Sequence, residues 1–171
     1  MLNEIFGTVL ANSRSLDVTE AMVLGQNYGS REIHLYLNLW YAGFNYQPAF
    51  VNNQPQIDHI FPQALLKKIK VENPQTGKRD LMRYKWEDRD QFGNLMLLTA
   101  KENGAGGKTD TPPDEWFARR VAEEGEAYLD LHLIPKNREL WKLENFEKFI
   151  EARNKLILEK FSFMLHKNTG V

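Results

Sequence analysis

The segment Ile57-Asp58-His59-Ile60-Phe61-Pro62-Gln63 sets an acid and a histidine inside a short apolar run and stops that run with proline. Apolar residues around a charged pair, bounded by Pro62, predict a strand that ends close to Asp58-His59, because proline has no N–H to give to a ladder. Residues 63–70 then read as a short helical stretch. Neighbouring side chains on an extended chain project in opposite directions, so this pair at a strand end is able to bracket a substrate group.

The partner of that strand is sought downstream. Residues 71–90 are polar and carry the turn Asn73-Pro74-Gln75-Thr76-Gly77, which predicts an excursion between two strands. Its length exceeds that of an ordinary loop, which marks either function or a hidden element. Gly93-Asn94-Leu95-Met96-Leu97-Leu98-Thr99 is a compact apolar run of strand length, expected to be buried on both faces. Thr99-Ala100-Lys101-Glu102 has the form of a capping box and predicts a short helix carrying Asn103, ended by Gly104, Gly106 and Gly107. The centre is therefore strand, loop, strand, helix.

Helices flank it. Residues 1–46 read as a helical N-terminal segment, with Asp17 and Ser30 as N-caps and Ile33, Leu37, Trp40 and Phe44 on one helical face. Gly25, Gly29 and Gly43 punctuate the breaks, and residues 45–55 turn to Asn, Gln and Pro without helical period. Thr111-Pro112-Pro113-Asp114 starts another helix that carries Trp116 and Phe117. In the tail, Phe146, Ile150, Ile157, Phe161 and Met164, with Phe149 and Leu165 beside them, form an apolar stripe over residues 143–166. The fold class is α+β: a central unit at 47–120 between helical segments 1–46 and 121–171.

The chain has 171 residues, 42% of them hydrophobic, enough for one domain with a real core. It has no cysteine, which excludes disulfides and any zinc–cysteine site. No apolar run has the length of a membrane span and the start lacks a signal peptide's basic region, so a cytoplasmic protein with no membrane association is expected. A net charge of -1 is not that of a protein that coats nucleic acid. Lysines and arginines nevertheless gather at 67, 68, 70, 78, 79, 83, 85 and 89, where they face either phosphate or solvent.

Of the histidines, His34 and His166 read as ordinary helix residues, and His132, in an apolar stretch, as a packed and hydrogen-bonded one. His59 differs in following Asp58 at a strand end. Phosphodiester hydrolysis needs a group that takes a proton from water, which a neutral imidazole does well. It also needs a hard cation on oxygen ligands to stabilise the leaving oxygen. Asp58, with Asn103 on the following helix, offers such ligands; Glu102 is a rival.

Asp58-His59 through Gln63, followed by the block from Gly93 to Asn103, resembles the HNH (ββα-metal) nuclease motif. The pattern is similar to the HNH domain of RNA-guided CRISPR nucleases. It is more similar to the C-terminal nuclease domain of GmrSD-type modification-dependent restriction enzymes, which the tail also resembles through His132-Leu133-Ile134-Pro135, Leu140-Trp141 and residues 144–153. The resemblance covers roughly residues 45–165. It implies a ββα-metal core and a DNA endonuclease using one divalent ion, Mg²⁺ or Mn²⁺, in defence against foreign or modified DNA. His59 takes the place of the general base. Asn94, the second residue of the catalytic motif, takes that of the middle asparagine that ties loop to strand and orients the base. Asp58 and Asn103 match the metal ligands, and Lys108 a lysine with a possible phosphate role. Lys67 and Lys68, from the basic cluster and not from the resemblance, are further candidate nucleic-acid contacts.

The chain departs from the pattern in two ways. The spacer Gly104-Ala105-Gly106-Gly107 before Lys108 is longer than in the CRISPR nucleases, and the bracing cysteines of many HNH domains are missing. A nucleotide-hydrolysing domain or subunit, whose motifs the chain lacks, is the implied partner. Each residue also has a plain structural role: Asp58 as a strand-end turn former, Asn94 as a turn residue, Asn103 as a helix end before glycine. On those roles the chain is a catalytically silent nucleic-acid-binding or partner-interaction module.

Overall fold

The computed structural model describes residues 18–41 and 55–165, and the architecture is α+β. In chain order the elements are α1 (Glu20–Leu24), α2 (Ile33–Trp40), β1 (Gln56–His59), α3 (Gln63–Leu66), β2 (Lys70–Val71), β3 (Leu81–Met82), α4 (Trp86–Asp90), β4 (Leu95–Leu98), α5 (Ala100–Asn103), α6 (Pro113–Glu124), α7 (Ala127–Leu131) and α8 (Phe146–Lys160). Among the described residues, no helix is long and apolar enough to cross a membrane.

β1 and β4 pair antiparallel, with Gln56 opposite Leu98, Asp58 opposite Met96 and His59 opposite Leu95. All four residues of β4 are buried. Its alternating side chains enter two apolar clusters, as the two-residue period of a strand requires. Met96 and Leu98 pack with Ile60, Phe61, Trp116, Phe117 and Phe146. Leu95 and Leu97 pack with Val23, Leu37, Trp40, Phe92 and Ile157. The long helix α8 seals both, giving Phe146, Phe149 and Ile150 to the first cluster and Ile157 with the following Phe161 to the second. Each such burial contributes roughly 1.5–3 kcal/mol, so a polar residue anywhere in β4 would be severely destabilising.

Local signals explain most element starts. Thr99 and Glu102 form the reciprocal capping box at α5, with Glu102 N–H donating to Thr99 Oγ1 at 3.2 Å and Thr99 N–H donating to Glu102 Oε2 at 2.9 Å. Pro113 opens α6 in its first turn, where a missing N–H costs nothing. Ile33, Leu37 and Trp40 are the buried face of α2.

Other starts differ from expectation. Ser30 does not cap α2: its hydroxyl accepts from Asn27 N–H at 2.9 Å and closes a turn, and the helix begins after Glu32. Helix α1 is capped by Thr19, whose hydroxyl accepts from Met22 N–H at 3.2 Å. Asp17, Gly43, Phe44, most of the 45–55 stretch and His166 lie outside the described residues. The last helix ends at Lys160 because Phe161 turns into the second cluster and Leu165 bridges back to Val18.

The excursion at 71–90 contains elements of its own. β2 and β3 form a small antiparallel ribbon closed by the Asn73–Gly77 turn, in which Gly77 N–H donates to Asn73 O at 2.8 Å and Gly77 has φ +66°, a conformation that favours glycine. α4 follows and delivers Asp90 to the end of β1. The 25–30 loop is tied to the same corner: Tyr28 N–H donates to Asp90 O at 2.7 Å and Phe92 N–H to Gln26 O at 2.9 Å.

Candidate active site

The ladder between β1 and β4 stops at His59, and Asn94 is what stops it. Its fully buried side chain accepts from Phe61 N–H at 2.9 Å and donates to Phe61 O at 3.2 Å and Arg89 O at 2.7 Å. One amide thus satisfies both backbone groups of Phe61 and draws the chain out of the strand directly after His59. All three bonds go to the main chain, and the Asn94 side chain does not line the cleft that holds Asp58 and His59.

The turn this creates opens both Asp58 and His59 onto one cleft of about 510 Å³, which Tyr28, Gln63 and Lys67 also line. The His59 imidazole is 13% exposed and its Nε2 lies 2.9 Å from Asp90 Oδ1. Gln63 Nε2 donates to the same carboxylate oxygen at 2.7 Å and lies 3.1 Å from His59 Nε2. Tyr28 covers the ring, with centroids 5.0 Å apart. Burial pushes the His59 pKa below its ordinary value of 6.5, against the opposing pull of Asp90. Burial thus favours the neutral imidazole.

Asp58 faces a different partner. Lys108 Nζ sits 2.9 Å from Asp58 Oδ2 and donates to the His59 carbonyl. The lysine is fully buried, and desolvation draws its pKa down while Asp58 holds it up. Asp58 Oδ2 itself is buried and takes no well-directed hydrogen bond, so the contact with Lys108 is one of charge. The glycine spacer makes this approach: Gly106 has φ +82°, and a Cβ on Gly107 would stand 2.0 Å from Glu102 O. Lys108 therefore turns under β1 and does not reach the surface.

Asn103 is not brought into the same cleft. Its Nδ2 donates to Gln56 Oε1 at 2.7 Å, and it lines an adjoining cavity of about 610 Å³ with Gln56, Ser30 and His34. Gln56 and Asp58 share a face of β1, which puts Asn103 on the Asp58 side of the strand. Glu102 is committed to Thr99 and to Arg120 Nη2 at 3.0 Å. Among the described residues, no group of three or more His, Cys, Asp or Glu side chains is placed to hold a metal. The donors present are still those a hard divalent ion uses: a carboxylate with a buried oxygen lacking a directed bond, and an amide oxygen, with the remaining positions left for water. Of the surface lysines, Lys67 lines the cleft, while Lys68 is exposed outside its lining.

Asp90, Gln63 and Tyr28 escape a reading of the sequence. Asp90 lies in an acid-rich polar segment with no fixed spacing to His59, and only the tertiary fold brings the two together. Arg153 escapes it too: fully buried under Trp40, it donates to Gly93 O at 2.9 Å and His132 O at 3.1 Å. His34 is exposed on α2. His132 is packed in the core, its Nδ1 2.8 Å from the Tyr41 hydroxyl, with its pKa lowered to about 3 by burial and by the charges of Arg153 and Arg120.

A comparison with curated protein sequences returned no match. The family described as GmrSD restriction endonucleases, C-terminal domain, matches residues 19–160, most of the chain and the whole of the site just described. The chain belongs to the C-terminal domain family of the GmrSD restriction endonucleases.

Proposed function

We propose that this chain is a divalent-metal-dependent DNA endonuclease domain of the HNH type. The observation that carries it is the opening of Asp58 and His59 together onto one cleft at the end of β1, with β4 and α5 following in ββα order. On this reading residues 47–120 are the nuclease core, buttressed by segments 1–46 and 121–171. Its work is restriction of foreign or modified DNA, alongside a nucleotide-hydrolysing domain or subunit.

His59 is the general base. Burial favours its neutral imidazole, which takes a proton from the attacking water as the phosphodiester is hydrolysed. Asp58 and Asn103 would hold one Mg²⁺ or Mn²⁺, and a bound ion of this kind supplies Lewis-acid stabilisation of the leaving oxygen. Asp58 and Asn103 would be free to hold it only once the Lys108 ammonium and the Gln56 amide gave up their contacts with them. Asn94 fixes the turn that aims His59. Lys67 meets DNA phosphate at the cleft, Lys68 meets it outside the cleft lining, and Lys108 balances charge near the scissile group.

A second reading is favoured by one observation. Lys108 pairs with Asp58 by charge, and Gln56 engages Asn103, as in a binding module whose site has fallen silent. Plasmid nicking separates the two. The nuclease reading expects cleavage that requires Mg²⁺ or Mn²⁺ and disappears in His59→Ala. DNA binding without cleavage under either ion establishes the silent module, and equal cleavage by His59→Ala removes His59 from the role of base.

A further inference from the structure

The contacts around His59 Nε2 carry a consequence for the ring's protonation. Asp90 Oδ1 stands 2.9 Å from Nε2 and also receives the Gln63 amide at 2.7 Å. A carboxylate accepts and cannot donate, so a lone pair on Nε2 at this distance would face a lone pair on oxygen. The arrangement is favourable only when Nε2 carries the proton. Nδ1 then holds the free lone pair, and it has no hydrogen-bond partner among the described residues.

We propose that Asp90, braced by Gln63, is a positioning residue that holds His59 in the Nε2–H tautomer and presents Nδ1 to the reacting water. Three separate features converge on it. α4 ends at Asp90 and seats its carboxylate at 17% exposure, where the field of a charge is little screened. The backbone of Asp90 is pinned by Tyr28 N–H at 2.7 Å, so the carboxylate does not drift from the ring. Tyr28 also covers the imidazole and limits its rotation. Asp58, next in sequence to His59, is neutralised by Lys108, which leaves Asp90 as the acid that meets the ring directly.

This assignment of Asp90 rests on His59 being the base, but its primary test does not need activity. In a chain labelled with ¹⁵N-histidine, two-bond ¹H–¹⁵N correlations report which ring nitrogen bears the proton, and His59→Ala assigns the signal. The wild type is expected to show His59 as Nε2–H alone above its titration. In Asp90→Ala only the Gln63 N–H still faces Nε2, so an Nδ1–H population appears. Asp90→Glu restores the acceptor and the wild-type pattern. A wild-type His59 in the Nδ1–H form, or an unchanged tautomer in Asp90→Ala with native circular dichroism, overturns the proposal. Cleavage gives the second readout: Asp90→Ala is expected to lower kcat on the order of 10²-fold with KM for DNA little changed, and Asp90→Glu to recover most of it. A kcat equal to wild type in folded Asp90→Ala overturns it as well. If His59→Ala cleaves normally while the tautomer result holds, the role of His59 as base has failed and the Asp90 contact stands.

Discussion

Among the described residues, two histidines are partly or wholly buried, both have depressed pKa values and both sit against tyrosine rings, yet their surroundings differ. His132 is 1% exposed and packed among Tyr41, Tyr128 and Arg153. Its Nδ1 meets a hydroxyl, a partner that both donates and accepts and so tolerates either tautomer. His59 meets a carboxylate, which dictates the tautomer, and it lines a cleft beside a second acid. A lowered histidine pKa therefore does not by itself mark a catalytic site. On the proposed reading, what separates a structural histidine from a catalytic one is the partner's chemistry and the cleft that His59 lines.

The sharpest way to break this comparison is to truncate each ring in turn. His59→Ala is expected to lower metal-dependent cleavage by about 10³-fold or more, with little change in urea midpoint. His132→Ala is expected to do the reverse, costing roughly 2–3 kcal/mol in the urea titration through a cavity and unpaired buried groups. Stability loss of similar size in both, with cleavage lost in both, would erase the distinction.

pH sharpens it further. His132 has a folded pKa of about 3 against 6.5 for the free side chain, so the unfolded chain binds a proton that the native state refuses. A base with a depressed folded pKa contributes stability in full above about pH 6.5 and loses it as pH falls towards the folded value, by about 1.4 kcal/mol per pH unit. Between pH 7 and pH 5 the His132 contribution should thus fall by about 2 kcal/mol, and His132→Gln should flatten that part of the urea-midpoint profile. A variant with the wild-type acid slope would place the titration elsewhere.

The smallest effects lie in the neighbouring tyrosines. Tyr41→Phe removes the hydroxyl that meets His132 and accepts from Leu97 N–H at 3.4 Å, for an expected loss of about 1 kcal/mol by urea denaturation. Tyr28→Phe, at a half-exposed ring, should change stability by less than about 0.5 kcal/mol. Equal losses would mean that the cleft is packed as tightly as the core.

Much of this was legible in the residues themselves. The capping box at Thr99, the proline start of α6, the buried run of β4 and the packed character of His132 are all local signals, readable from the period or the identity of a few neighbours. The pair Asp58-His59 announced itself as a strand end because Pro62 follows it. The small ribbon of β2 and β3 was hidden in a polar excursion because each strand spans too few residues to show a period. Ser30 misled for a related reason: its hydroxyl serves a turn or a helix equally well, and the contest was settled by Asn27.

By itself, then, the sequence determined the element types, the two-faced burial of β4 and the chemical identity of the pair at the end of β1, since these depend on near neighbours. Only the tertiary structure decided which partners those side chains have. Asp90 reaches His59 across a separation of 31 residues, Lys108 reaches Asp58 through a glycine spacer, and Asn103 meets Gln56 instead of Asp58. Such contacts are set by how helices close over a strand, and nothing in the spacing of the residues along the chain encodes the angle at which they do so.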